Sequence, residues 1–299
     1  MNAARRLLAP VSLVILACSP RHPPVVIGSK NFTESVILGE LLAQRLERAG
    51  IPVERKLNLG GTFVCHQALV AGQLDAYVEY TGTAYSAVLH LPVLTDPARV
   101  WRLVDSSYRA RWQLVWEPAL GFDNTFAMLV RRADAERLHL TTLSQAARYF
   151  DSWRAGFGYE FMERADGFPG LAARYGLQPR AKPSVMDLGL TYRALAEAKV
   201  DIIAGNSTDA QIQALDLFQL ADDKRYFPPY QAAPVVRESA LRRYPALRAA
   251  IDSLGGTITA ETMRDLNYQV DVLHRDLKDV VARFLDRATT LRPPRVGSR

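Results

Sequence analysis

The sequence predicts an α/β protein whose two lobes close on a ligand like a clamshell. Strands alternate with helices over residues 25–79, a second alternating run occupies residues 126–204, and two turn-rich passages, 117–125 and 222–230, cross between them. With 299 residues, 48% of them hydrophobic, the chain can form one large domain or two lobes with separate cores. The two crossings favour two lobes, and such a protein binds its ligand in the cleft and closes by hinge motion.

The first lobe is expected to contain a parallel sheet with right-handed crossovers, because its strands and helices alternate. Thr33 is the expected N-cap of the first helix, since its hydroxyl can accept a hydrogen bond from a backbone N–H in the first turn. In order, the expected elements are strand 25–29, helix 34–49, strand 53–57, helix 63–71, strand 75–79, helix 96–111 and strand 113–116.

The second lobe repeats the α/β pattern, and a final stretch is expected to rejoin the first sheet. The predicted lobes comprise residues 25–122 with 230–290, and residues 123–229. In order, the remaining elements are strand 126–130, helix 143–150 capped by Thr141 or Thr142, strand 154–159, helix 187–198, strand 200–204, a helix from Ala210 capped by residues 206–209, strand 233–237, and several helices within 238–288, of which 260–268 and 277–285 are the clearest.

The N-terminus has the pattern of an export signal. Arg5 and Arg6 precede an apolar stretch over residues 7–17, and residues 1–18 are expected to be a signal peptide. The stretch ends at Cys18 in a pattern that resembles a bacterial lipoprotein processing site, so Cys18 is the expected lipid anchor. Because Leu16 is bulkier than the residue usual there, cleavage by an ordinary signal peptidase, without a lipid, stays open.

Charge and cysteine content exclude other classes. The net charge of +6 is scattered among acidic and apolar positions, so the chain lacks the basic stripe that a nucleic-acid partner requires. The basic, proline-rich tail 291–299 is expected to be disordered. With Cys18 as the anchor, Cys65 is the second and last cysteine, and its apolar neighbours favour a small buried core residue over a nucleophile or ligand.

The stretch over residues 75–83 indicates a binding site, because Tyr80 lies where a strand ends. The open ends of strands in α/β sheets are where small ligands bind. An aromatic face attracts a cation that cannot donate hydrogen bonds, as in a quaternary ammonium. Alternatively, Tyr80 is an ordinary strand residue. Gly82 is expected to adopt backbone angles closed to other residues, and Thr83 to cap a following helix.

Two further positions have a functional and a structural interpretation. In Leu59-Gly-Gly-Thr62, bare backbone N–H groups before a helix can bind an anion such as a carboxylate; alternatively the glycines make a tight turn. Arg164 can clamp a ligand carboxylate, or it is a surface arginine that pairs with Glu160 or Asp166.

No catalytic constellation is found in the sequence. The five histidines are isolated, and neither His-x-x-x-His nor Gly-x-Ser-x-Gly occurs. We therefore expect no enzyme activity, no metal and no cofactor.

At this point the chain resembles a known family, the substrate-binding proteins of osmoprotectant ABC importers for glycine betaine, choline and related quaternary amines. The matches run through nearly the whole chain after the signal peptide, in the same order. They are Ile27-Gly-Ser-Lys-Asn-Phe-Thr-Glu34, Leu59-Gly-Gly-Thr62, Tyr80-Thr-Gly-Thr83, Asp187-Leu-Gly-Leu-Thr-Tyr192, Phe227-Pro-Pro-Tyr-Gln-Ala-Ala-Pro-Val235 and Leu266-Asn-Tyr-Gln-Val270.

The resemblance implies a type II periplasmic-binding-protein clamshell with a cage of aromatic rings around a quaternary ammonium. By position, Tyr80 and Tyr230 match cage residues of the first lobe, and Phe126 replaces a tyrosine that is common in the family. Arg164 matches the arginine that binds the ligand carboxylate. Asn206 departs from the pattern, because many members have an aromatic residue there, so the ligand could bind more weakly or use a hydrogen bond to Asn206.

The resemblance also implies a role. The chain is expected to capture a quaternary amine at the periplasmic or extracytoplasmic face of a bacterial membrane, as a lipid-anchored or soluble monomer. Its partners would be an ABC permease and the ATPase subunit. The alternative is a sensor or receptor module with the same clamshell that binds another betaine-like solute, such as ergothioneine or carnitine.

Overall fold

The computed structural model describes residues 22–291, with the side chains of residues 288–291 left undescribed. The signal peptide and Cys18 lie outside the described residues, as does the predicted tail beyond Leu291. Within the described part of the chain, no helix has both the length and the apolar composition needed to cross a membrane.

Ten strands form two five-stranded sheets. The strands are β1 (Val25–Gly28), β2 (Val53–Lys56), β3 (Ala76–Tyr80), β4 (Leu114–Trp116), β5 (Phe126–Arg131), β6 (Ala155–Phe157), β7 (Ser184–Val185), β8 (Ile202–Asn206), β9 (Leu217–Gln219) and β10 (Ala232–Arg237).

The helices lie between these strands and at the C-terminal end. They are α1 (Thr33–Arg48), α2 (Thr62–Val70), α3 (Thr81–Thr83), α4 (Pro97–Trp112), α5 (Arg132–Arg137), α6 (Leu143–Ala146), α7 (Tyr159–Glu163), α8 (Phe168–Tyr175), α9 (Leu188–Ala196), α10 (Gln211–Ala214), α11 (Glu238–Arg243), α12 (Ala246–Asp252), α13 (Ala260–Asp271) and α14 (Leu277–Leu291). A π-helical turn, Ala84–Val88, extends α3, and a 3₁₀ turn, Ala147–Tyr149, extends α6.

The two sheets have the same construction. The first has the order β2-β1-β3-β10-β4 and the second β7-β6-β8-β5-β9. In each sheet the fourth strand enters after the chain has crossed from the other lobe, and it runs antiparallel to both neighbours. The predicted α/β clamshell with two crossings is therefore confirmed, and so is the return of residues 233–237 to the first sheet. The exact lobe boundaries stay a prediction.

Alternation along the strands directs side chains to opposite faces of each sheet. In β3, Ala76, Val78 and Tyr80 face a core formed with α1 and the C-terminal helices, whereas Tyr77 faces a core formed with α2 and α4. In β5, Met128 and Leu129 likewise belong to two different cores. Each lobe is thus a three-layer structure with apolar packing on both faces of its sheet.

Three predicted local features are wrong, each because a tertiary contact prevails. Phe32, not Thr33, is the N-cap of α1, and the Thr33 hydroxyl instead donates to Asp271 Oδ1 at 2.5 Å. Thr83 is at the N-cap of the π-helical turn, but its hydroxyl makes no capping bond and accepts from Arg164 instead. Residues 206–209 do not cap a helix from Ala210: the N-cap of α10 is Ala210 itself, without a side-chain bond.

Other boundary predictions agree within a few residues. At the start of α4, Asp96 accepts from the Arg99 N–H, a cap that the sequence analysis had not predicted. Thr142, one of the two residues proposed, forms a capping box with Gln145. Cys65 is fully buried as expected, and burial raises the pKa of its thiol to about 12.

The buried face of α1 provides a test of the first core. Leu38 is fully buried there, so Leu38→Ala removes packed methyl groups and leaves a cavity. We expect a loss of about 2–5 kcal/mol in the free energy of unfolding, measured by urea denaturation. Leu273→Ala, at a leucine with 47% exposure, is the control and should change stability by less than about 0.5 kcal/mol. Equal losses in the two variants would contradict this core.

Candidate functional site

A cavity of about 730 Å³ lies between the two sheets. It opens where the parallel strands β1, β3, β6 and β8 end, which is the usual ligand position in α/β folds. Its volume is within the range of small-molecule sites. Seven aromatic residues line it: Phe32, Tyr80, Phe126, Tyr159, Phe161, Tyr192 and Tyr230.

Tyr80 is the last residue of β3 and lies in the cavity wall, as predicted. Because Tyr80 lies two residues after Val78, its ring is on the same face of the sheet and faces α1. There its hydroxyl donates to Glu34 Oε1 at 2.6 Å. Burial and the adjacent carboxylate raise the pKa of Tyr80 well above its usual value, so the phenol remains a donor. The Phe32 ring lies 6.2 Å from the Tyr80 ring.

Tyr230 lies at the return crossing, and a close backbone approach places its ring. A Cβ on Gly82 would be 2.7 Å from Pro229 O and 2.7 Å from the Tyr230 ring, so only glycine fits. Gly82 does not adopt a positive φ, and the expected backbone reason for this glycine is therefore wrong. The Tyr230 hydroxyl donates to Asp166 Oδ2 at 2.6 Å.

Phe126, the first residue of β5, joins the aromatic residues of both lobes. Its ring centroid is 4.9 Å from Phe161 and 5.7 Å from Tyr230, both in edge-on arrangements that aromatic quadrupoles favour. Phe126 is partly exposed to the cavity. Phe126 directly follows the outward crossing and Tyr230 ends the return crossing, so the two crossings bring these rings together.

Arg164 lines the cavity but its charge is already paired. Its Nε and Nη2 atoms donate to the two carboxylate oxygens of Asp166 at 2.9 and 2.6 Å, and Nη2 also donates to Thr83 Oγ1 at 3.1 Å. Arg164 is 6% exposed and Asp166 fully buried, so the expected pairing occurs, although not at the surface. Burial opposes the guanidinium charge, but the contact with Asp166 outweighs it and raises the pKa of Arg164.

The second cation in the cavity wall, Lys30, is paired in the same way. Its Nζ atom lies 2.5 Å from Glu79 Oε1, and both side chains are almost completely buried. Lys30 also donates to Thr62 Oγ1 at 3.0 Å. Its Nζ atom is 5.2 Å from the centroid of the Tyr80 ring, and the Arg164 guanidinium is 5.0 Å from that of Phe126, so these aromatic faces attract cations.

Thr62 is fully buried and does not line the cavity. It is the first residue of α2, where the sequence predicted an anion site. A carboxylate does bind there, but it belongs to the chain: Glu160 accepts from the Thr62 N–H at 2.7 Å. The predicted attraction for an anion is present, and its partner is Glu160.

Asn206 lies at the end of β8 and lines the cavity. Its amide Nδ2 donates to Asp209 Oδ2 at 3.2 Å, and Asp209 also accepts from the Asn206 N–H at 2.9 Å. The Tyr192 hydroxyl donates to the same carboxylate at 2.5 Å. Burial raises the pKa of Asp209 to about 6, although its surface is only half-buried.

The sequence analysis missed Glu34, which is almost completely buried in the cavity wall. Four side chains donate to it: Tyr80, Asn124, Thr208 and Asn267, at 2.6, 2.8, 2.5 and 3.3 Å. Asn124 lies in the outward crossing and Thr208 follows β8, whereas Tyr80 and Asn267 belong to elements of the first lobe. Burial raises the pKa of Glu34 despite these donors.

Phe32 and Glu34 lie in a stretch that the sequence had already marked, where Phe32 is the N-cap of α1 and Glu34 belongs to its first turn. A ring and a carboxylate directly after a buried strand could have identified both residues. Phe161 gave no such signal, because it occupies a short helix. Among the described residues, no cluster of histidine, cysteine, aspartate or glutamate could hold a metal ion.

The fold and the cavity together define a class: a two-lobed α/β ligand-binding protein of the type II clamshell. The chain matches the family model described as the substrate binding domain of an ABC-type glycine betaine transport system, over residues 23–287. The protein therefore belongs to this family of transport substrate-binding domains.

Three similar proteins illustrate the family. An ergothioneine transport permease and binding protein of Helicobacter pylori is 37% identical over 282 residues, which cover 94% of this chain but 50% of the relative. A carnitine transport binding protein of Listeria monocytogenes is 32% identical over 290 residues, 94% of each chain. A crystal structure of a glycine betaine/carnitine/choline ABC transporter shares 32% identity and a TM-score of 0.74, covering 89% of this chain and 98% of that one.

The environment of Asp209 predicts a pH-dependent stability. Its pKa is about 6 in the folded state and 3.8 in a model peptide, so between these values the folded state binds more protons and stability falls as pH rises. Asp209→Asn should remove this dependence. We expect the wild-type free energy of unfolding, relative to that of the variant, to fall by about 1–3 kcal/mol from pH 4 to pH 7.

Urea denaturation at intervals of half a pH unit measures this difference, with Asp151→Asn, at an exposed carboxylate of the same lobe, as the control. A wild-type curve parallel to that of Asp209→Asn across the window would contradict the assignment.

Proposed function

We propose that this protein captures a small quaternary amine, such as glycine betaine, choline, carnitine or ergothioneine, and delivers it to the permease of an ABC importer. One observation carries the proposal: the cavity between the lobes is walled by aromatic rings from both of them, including Tyr80, Phe126 and Tyr230. A quaternary ammonium cannot donate hydrogen bonds, so it binds best against aromatic faces and carboxylates.

Family membership supports the transport role over a sensor role. The family model belongs to a transport system, and the Helicobacter and Listeria relatives are described as transport proteins for ergothioneine and carnitine. Members bind a solute and hand it on, so the proposal includes no chemical conversion of the ligand. It places the protein on the extracytoplasmic side of the membrane with a permease and its ATPase as partners. Lipid anchoring through Cys18 and a monomeric state belong to the same proposal.

The proposed capture has two steps. In the open protein the ligand first contacts Tyr80 and Tyr230, and closure then adds Phe126 from the second lobe. Hinge motion of this kind is typical of two lobes joined by two crossings. Calorimetric titration of the purified protein with the four quaternary amines tests the function directly. We expect at least one of the four amines to bind, and the absence of a binding signal with all four would overturn the proposal.

Phe126 provides the sharpest test of the aromatic wall. Phe126→Ala should weaken binding of the quaternary amine about threefold to thirtyfold, because one cation–π contact of roughly 0.5–2 kcal/mol is lost. Phe126→Tyr keeps the aromatic face and should preserve the affinity within about threefold.

Titration calorimetry measures both variants. Phe218→Ala is the control, since this ring of the second sheet lies outside the cavity, against Arg132. If Phe126→Ala and Phe218→Ala bound the ligand equally well, Phe126 would not belong to the cage.

A further inference from the structure

Glu160 of α7 reaches across the cleft to the first residue of α2. Its Oε1 atom accepts from the Thr62 N–H at 2.7 Å, and its Oε2 atom lies 3.3 Å from the Thr62 hydroxyl. A Cβ on Gly61 would overlap Oε1, so glycine at this position makes the approach possible. Both Gly61 and Glu160 line the cavity, so this contact between the lobes forms part of the cavity wall.

The contact occupies the anion-binding position at the start of α2. The first N–H groups of a helix and its dipole attract anions, and the Thr62 N–H is the donor that the Leu59-Gly-Gly-Thr62 turn presents. Because Glu160 already accepts from this donor, a second carboxylate there would lack a partner and would face a like charge at close range.

The two cations of the cavity wall have little charge left to attract a ligand carboxylate. Lys30 is paired with buried Glu79, and Arg164 with buried Asp166. The remaining nitrogen of Arg164, Nη1, lies 3.7 Å from Glu160 Oε2, so even this donor faces the same carboxylate.

Acidic side chains in the wall lack such partners. Glu34, Asp187, Asp209 and Asp271 all line the cavity, and among the described residues none of them forms an ion pair. Glu34 and Asp209 are satisfied by neutral donors instead. Counting the paired cations as neutral, the wall carries an excess of negative charge, which favours a ligand with a net positive charge.

We propose that Glu160 selects the ligand by charge, so that the cavity prefers quaternary amines that end in a neutral hydroxyl over those that end in a carboxylate. This inference rests on the proposed function and specifies its substrate class. A hydroxyl can donate to a carboxylate and accept from a guanidinium nitrogen, whereas a carboxylate at neutral pH can only accept. The hydroxyl end is therefore compatible with Glu160 and Arg164 together.

Choline and glycine betaine form a matched pair of ligands for the test, because both carry a trimethylammonium group and differ at the other end. Titration calorimetry at pH 7 should give wild-type protein about tenfold tighter binding of choline. This is the effect of one unit charge about 4 Å away at an effective dielectric constant near 60, because the Glu160 side chain is 39% exposed and solvent screens its charge. Glu160→Gln keeps the shape and an acceptor for the Thr62 N–H but removes the charge. It should lower the affinity ratio of choline to glycine betaine about tenfold.

Glu163→Gln is the matched control, since Glu163 belongs to the same helix but is exposed and lies outside the cavity. Its affinity ratio should equal that of the wild type. A circular dichroism spectrum and a thermal unfolding transition like those of the wild type show, independently of binding, that Glu160→Gln is folded.

The outcomes separate the two proposals. If wild-type protein binds glycine betaine as tightly as choline, or if Glu160→Gln leaves the ratio unchanged, the charge selection is overturned while the proposed function stands. Loss of all binding in a folded Glu160→Gln variant would make Glu160 a general requirement and would likewise overturn selection. If no quaternary amine binds the wild type, the proposed function fails, and the inference fails with it.

Discussion

Pairing of buried charge governs the architecture of this cleft. Lys30 and Arg164 both lie in the cavity wall, where an unpaired cation would incur a large desolvation cost, and each is matched to a carboxylate that is fully buried. Glu79 comes from the strand next to Lys30, and Asp166 follows Arg164 by two residues. Because both partners are fixed by neighbouring backbone, the cations are oriented before any ligand arrives, and part of their charge is already neutralised.

The aromatic wall depends on the same pairs. Asp166, which holds Arg164, also accepts from the Tyr230 hydroxyl, and Glu79, which holds Lys30, accepts from the Tyr80 backbone N–H at 2.8 Å. Burial raises the pKa of Tyr230 far above its usual value, so its hydroxyl keeps donating. A ring placed by a charged neighbour and by the narrow space beside Gly82 has little freedom to rotate. Tyr230 is therefore held by its hydroxyl as well as by the packing of its ring.

The fold was predictable because its signals are periodic and extend over many residues. The strand–helix alternation over residues 25–79 and the two turn-rich crossings were sufficient to predict two α/β lobes. Tyr80, Phe126, Asn206 and Tyr230 were found because each lies where a strand begins or ends, or in a crossing, and because the resemblance marked them. Prediction from the sequence failed where a local preference, such as helix capping, competes with a hydrogen bond to a residue far along the chain. Thr33 has the chemistry of an N-cap, yet its hydroxyl bonds to Asp271, 238 residues away.

Glu34 links the two lobes through hydrogen bonds. Burial removes water from its carboxylate and raises its pKa, and four neutral donors compensate for that loss. Tyr80 and Asn267 belong to the first lobe, whereas Asn124 lies in the outward crossing and Thr208 follows β8 of the second sheet. Without the Asn124 and Thr208 donors, the carboxylate would keep fewer hydrogen bonds, which is costly for a buried polar group. Glu34 therefore favours this arrangement of the two lobes, because donors are already positioned in the crossing and just after β8.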